Sequence, residues 1–109
     1  MVVARMSTWK FRPGQRDAAL EVISEKTGDA GRIQGFRGYL FLMSPEDQDA
    51  AILITLWEDE QSLQASRESI LEEAIRDTEQ YRAVPPDVKA LHVHSADILP
   101  ITPGIARPA

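Results

Sequence analysis

The stretch GFRGYLFLMSPEDQDAAILITLWED, residues 35–59, limits what this chain can fold into more than any other. Two apolar runs, Phe36–Met43 and Ala50–Trp57, read as strands joined by a polar turn over residues 44–49. Strict alternation sends Phe36, Gly38, Leu40 and Leu42 to one side of the first strand, and Arg37, Tyr39, Phe41 and Met43 to the other. The return strand divides the same way, with Ala51, Leu53, Thr55 and Trp57 against Ala50, Ile52, Ile54 and Leu56. An antiparallel hairpin with one face in water alternates apolar with polar residues, so this hairpin requires cover on both faces.

A chain of 109 residues makes one domain with one core, too little to lay a thick layer on each side of a sheet. Part of the cover is therefore expected from a second chain. The net charge of -5 argues against nucleic acid as the partner, since a phosphate backbone calls for a basic face. The absence of cysteine excludes disulfides and thiolate metal sites. The opening MVVARMSTWKF has a basic residue inside its apolar run and no small-residue cleavage site, so it does not read as a signal peptide. No apolar run approaches the roughly 20 residues of a membrane span. The expectation is a soluble, cytoplasmic protein without a membrane or nucleic-acid partner.

Along the chain, residues 2–11 read as a first strand, broken by Arg12-Pro13-Gly14. Helical spacing of Ala19, Leu20 and Ile23 predicts a helix over 15–27 that stops at Gly28, followed by a loop to residue 35. After Trp57 the period changes again. Asp59 is placed to cap a helix that turns Leu63, Ser66, Ile70, Ala74 and either Leu71 or Ile75 to the core. Ser69 followed by Glu72 resembles a capping box, so a break near 67–69 would split this region into two helices. Pro85-Pro86 ends it, residues 88–98 read as the last strand, and the proline-rich tail over 100–109 is expected to be extended or disordered. The order βαββαβ predicts an α+β, ferredoxin-like domain over 1–99: a four-stranded antiparallel sheet with both helices on one face. The other face, still apolar, is expected to meet the same face of a twin chain in a two-fold dimer.

The segments WKFRPGQRDAALEVI, GFRGYLFLM and AILITLWEDEQSLQAS together resemble the antibiotic biosynthesis monooxygenase family of dimeric α+β barrels, over about residues 3–97. The resemblance implies a homodimer joined through its sheets. It also implies a monooxygenase that uses neither metal nor organic cofactor and acts on a small aromatic or quinol-like substrate. The alternative within the same fold is a non-catalytic small-molecule-binding or stress-response protein. Haem-degrading members carry an asparagine, a tryptophan and a histidine at places that fall near Ser7, Ser66 and Arg76, and none of these matches.

Cofactor-free oxygenation needs aromatic and cationic residues around an electron-rich substrate, with a base or hydrogen-bond donor that favours its anion. Trp9, Arg37, Tyr39 and Trp57 fit by type and by lying on predicted strands, and His92 could accept a proton from substrate. Each has a structural alternative. The tryptophan at the strand-helix junction can simply fill the end of the core, Tyr39 suits a dimer interface, and Arg37 needs an anion that could be a carboxylate of the chain itself. His92 and His94 share a strand face but lack a third histidine, so no metal site is assigned.

Overall fold

The computed structural model describes residues 1–97. The tail over 100–109 and the end of the predicted last strand, Ile98, lie outside the described residues. Four strands form one antiparallel sheet: β1 (Val3–Lys10), β2 (Phe36–Met43), β3 (Ala50–Trp57) and β4 (Asp87–His92), in the order β2-β3-β1-β4. Helix α1 (Arg16–Ala30) follows β1. A second helical run follows β3, made of α2 (Glu60–Ser66), a π turn over Arg67–Leu71 and α3 (Glu72–Asp77). This is the ferredoxin-like α+β arrangement expected from the sequence.

Side-chain parity decides what the helices cover. Val3, Arg5, Ser7 and Trp9 of β1 are buried, as are their β3 partners Trp57, Thr55, Leu53 and Ala51. Two clusters result. Trp9, Phe11, Ala51 and Leu53 pack with Ala19 and Ile23 of α1, while Val3 and Trp57 pack with Ala30 of α1 and Leu63 of α2. Both helices therefore sit on one face. The opposite face presents Ala4 and Met6 of β1, Leu40 and Leu42 of β2, Ile52, Ile54 and Leu56 of β3, and Leu91 of β4. Leu42 and Leu91 are openly exposed there, and Leu40, Ile52, Ile54 and Leu56 are half-buried.

Four local details differ from the sequence-based expectation. The β2–β3 register slips between Phe36 and Gly38, so Phe36 joins Tyr39 and Phe41 on the helix side rather than Leu40 and Leu42. There its ring meets Trp57 edge-on, with centroids 5.1 Å apart. Helix α1 does not stop at Gly28, because its buried stripe of Ala19, Ile23, Thr27 and Ala30 continues past that glycine. The expected break near 67–69 is a π turn inside continuous helix, and Ser69 gives its hydroxyl to the Ala65 carbonyl instead of capping a new helix. Strand β4 ends at His92, opposite Val3, the first residue of β1. Beyond it, the Val93 N–H bonds the Val2 carbonyl.

Two junctions fix the hairpin against α2. Asp59 caps α2 by accepting from the Ser62 N–H at 2.8 Å, and that bond holds its carboxyl below the ordinary aspartate range. Gly35 adopts φ +90°, and a Cβ there would lie 2.2 Å from Ser62 Oγ and 2.6 Å from Ser62 Cβ. Gly35→Ala should therefore lower the unfolding free energy in denaturant titration by about 3 kcal/mol through strain and overlap. Adding Ser62→Gly should recover only the overlap part. Asp59 has a depressed folded pKa, so its contribution is present above the unfolded value of 3.8 and lost as pH falls through the folded one. Asp59→Asn, which can still cap, should flatten the acid limb of stability against pH below that point.

Candidate functional site

Between the two aromatic clusters the sheet carries Arg5, Ser7 and Thr55, and the helices above them leave a gap of about 30 Å³. The rest of its wall is mostly apolar: Ile23 and Ala30 of α1 beside Lys26 and Thr27, Leu53 and Trp57 of β3, Ile70 and Leu71 of the π turn, and Ala74 of α3. A volume of this size holds about two water molecules. It would not hold an aromatic ring.

The polar groups of the gap are placed by hydrogen bonds that begin at the tryptophans. Trp9 Nε1 donates to Ser7 Oγ at 2.8 Å, and Trp57 Nε1 donates to Thr55 Oγ1 at 2.9 Å. In each case the acceptor stands two residues before the indole, on the same strand face. The buried N–H groups are thereby satisfied within their own strands. Ser7 in turn donates to the Leu53 carbonyl at 3.4 Å, a long bond.

Arg5 is 6% exposed, and its guanidinium donates to the Leu63 carbonyl at 2.6 Å. Ser66 Oγ donates to that same carbonyl at 2.6 Å. The oxygen is available because the helix changes pitch here, the Arg67 N–H bonding the Gln64 carbonyl as α2 passes into the π turn. Among the described residues no carboxylate lies within 4.0 Å of Arg5. Burial lowers its pKa to about 10, and the neighbouring Arg67 cation adds to that shift. It remains cationic at neutral pH. Lys26, by contrast, turns its ammonium outward to Glu73 and Asp77, strapping α1 to α3. The hydrogen bond from Lys26 to Glu73 is the main cause of a raised lysine pKa.

Of the residues singled out in the sequence, Trp57 alone lines the gap. Trp9 is buried in the neighbouring cluster and reaches the gap only through Ser7. Arg37 lies on the surface in the β2 irregularity, 3.4 Å from Glu58. Tyr39 is 39% exposed, edge-on to Phe41 with centroids 6.1 Å apart. His92 is exposed at the end of β4, its Nε2 2.6 Å from Glu60 Oε1, and His94 Nδ1 lies 3.5 Å from Ser95 Oγ. Among the described residues no three histidine or acidic side chains gather as a metal site would require. Arg5, Ser7 and Thr55 are not among the residues that side-chain type and strand position mark in the sequence. The signal for them was parity: Arg5 and Ser7 share the face of Trp9 and Phe11.

Comparison with known proteins joins this geometry to a family. The sequence profile for antibiotic biosynthesis monooxygenases matches residues 1–90. Among solved structures, Rv0793 from Mycobacterium tuberculosis superposes with a TM-score of 0.77 at 18% identity, covering 88% of this chain and 98% of that one. NE2512, a protein of unknown function from Nitrosomonas europaea, gives 0.78 at 16% identity, covering 91% and 95%. A mutant of SnoaB, a cofactor-independent oxygenase from Streptomyces nogalater, gives 0.75 at 10% identity, covering 87% and 95%. At these identities the superpositions speak for the fold alone. Comparison with curated proteins gives no match. The profile spans both strand-helix units and all but the last residues of β4, and on that match the chain belongs to the antibiotic biosynthesis monooxygenase family.

Proposed function

We propose that this protein is a cofactor-independent monooxygenase for a small aromatic or quinol-like substrate, working as a cytoplasmic homodimer. The observation that carries the reading is the gap between sheet and helices, lined by Trp57, the buried Arg5 and two hydroxyl residues, Ser7 and Thr55, in a chain of this family. Similarity in fold to a cofactor-independent oxygenase supports it. The chemistry asked of the protein is modest. An ionised phenol passes one electron to dioxygen, the resulting radicals combine into a ring hydroperoxide, and loss of water leaves a quinone. One oxygen atom enters the product and the other leaves as water. The protein has to bind the ring, favour its anion and keep bulk water away.

A ring needs more space than the gap provides, a ligand site commonly being at least about 300 Å³. On this reading α1 and α3 separate when substrate enters, and the Lys26 contacts with Glu73 and Asp77 part. The small volume is also the observation that favours the second reading, a non-catalytic small-molecule-binding or stress-response protein whose interior is simply core. The pairing of Arg37 with Glu58 points the same way.

The open sheet face supports the homodimer. Four strands about 4.8 Å apart, three of eight residues and β4 of six, give a face of roughly 500 Å². Two such faces together bury on the order of 1,000 Å², the lower bound for a stable interface. Its two central strands hold Ile52, Ile54 and Met6, with Leu40 and Lys89 on the edge strands to either side and Lys10 at the end of β1.

Chelator-treated protein should consume one O₂ per 1,5-dihydroxynaphthalene and yield the coloured quinone, followed with an oxygen electrode and by absorbance. Binding of the diol without uptake would favour the non-catalytic reading. Ile54→Glu should move the sedimenting species from twice the chain mass to the chain mass and leave the circular-dichroism spectrum unchanged. An unaltered dimer would mean that the open face is covered some other way.

A further inference from the structure

We propose that Arg5, with the hydroxyls of Ser7 and Thr55, forms a binding site for the ionised oxygen of an aromatic oxyanion, so that the ligand of this fold enters charged end first. The claim that this ligand is the substrate rests on the oxygenase reading above; the claim that the gap selects an anion does not.

Three observations carry it. The first is charge. A buried guanidinium usually faces a carboxylate, because an isolated buried charge is costly. Arg5 faces only the neutral Leu63 carbonyl, and its charged neighbour is another cation, Arg67. The chain carries 17 acidic residues against 12 basic ones, yet no acid lines the gap; Lys26 reaches out of it to Glu73 and Asp77, which leaves Arg5 as the cation of the wall with no acidic partner among the described residues. An anion in the gap supplies the missing counter-charge.

The second is the direction of the hydroxyl hydrogens. Each hydroxyl oxygen already accepts from an indole, which leaves its own O–H to point elsewhere. Thr55 has no acceptor for that hydrogen among the described residues, and Ser7 has only the Leu53 carbonyl at 3.4 Å. Both residues line the gap, so the Thr55 hydroxyl is free to donate to a ligand there, and Ser7 can exchange its long bond to the Leu53 carbonyl for one.

The third is register. Arg5 stands directly opposite Thr55, and Ser7 is two residues along on the same face. Three donors thus occupy adjacent same-face positions, within about 8 Å of one another. The gap of about 30 Å³ matches the charged end of a ligand, two or three heavy atoms, rather than a whole ring. The same donors could take a free small oxyanion, and the test separates the two.

Benzoate, its neutral isostere benzamide, and formate serve as probes, read by quenching of tryptophan fluorescence and by thermal shift. Wild-type protein should prefer benzoate to benzamide by about ten- to a hundredfold, the margin of charge-assisted over neutral hydrogen bonds. Arg5→Met should abolish that preference, and Arg5→Lys should keep part of it. Thr55→Val should weaken benzoate severalfold without affecting benzamide. Arg5→Met should also melt no lower than wild type, since it removes an unneutralised buried charge. A lower melting temperature in Arg5→Met that Arg5→Lys restores, with no preference for benzoate in any form, would make Arg5 a prop for the Leu63 carbonyl and overturn the proposal. Formate that stabilises the protein as strongly as benzoate would overturn its aromatic part. Oxygen uptake tells this proposal from the reading beneath it. Uptake that proceeds equally in Arg5→Met removes the anion site from the reaction and leaves the oxygenase standing. Arg5-dependent benzoate binding without any uptake upholds the site and removes the oxygenase.

Discussion

The structure depends on the pairing of β1 with β3, and within it on where that register puts the two tryptophans. Trp9 stands opposite Ala51 and Trp57 opposite Val3, each large ring against a smaller side chain. Six residues separate these two positions along β1, a distance of about 20 Å at strand rise. Helix α1 rests on both, with Ala19 and Ile23 at the Trp9 end and Ala30 at the Trp57 end. The rings act as piers. Between them Leu53 packs on α1, but a small gap remains, and that is where Arg5, Ser7 and Thr55 are found.

The same rings explain how polar groups survive there. An indole buried without a partner for its N–H costs free energy, and each of these finds a hydroxyl two residues earlier on its own strand. The arrangement is local in sequence and independent of the helices. A shift of α1 or of the π turn would therefore leave the sheet side of the gap intact. The helix side is softer, since its wall includes a π turn and its strap is an ion pair near the surface.

Much of the fold was legible in the sequence because it rests on period. The two-faced hairpin, the change from period 2 to helical spacing after Trp57 and the Pro85-Pro86 stop each have one simple physical reading. Errors arose where a local signal was overruled by burial. Gly28 would end an isolated helix, but Thr27 and Ala30 are drawn onto the sheet and carry α1 past it. Phe36 was assigned by strict alternation, which a single slip in register reverses for one residue. The polar site was harder to read. Arg5 and Ser7 look like the solvent-facing half of an alternating strand, and only the burial of Trp9 and Phe11 on the same parity shows that they point inward.

The irregular start of β2 also bears on how copies of this chain avoid one another in the wrong way. β2 is an edge strand, and a flat edge is a template on which further strands can polymerise. Here the edge is broken by the slip between Phe36 and Gly38, twisted by Gly38 at φ +139° and marked by the exposed charge of Arg37. The opposite edge, β4, is six residues long, carries Asp87 and Lys89, and is preceded by Pro85-Pro86. Both margins thus resist lateral growth, so crowding this apolar sheet with its own kind steers molecules away from fibrils.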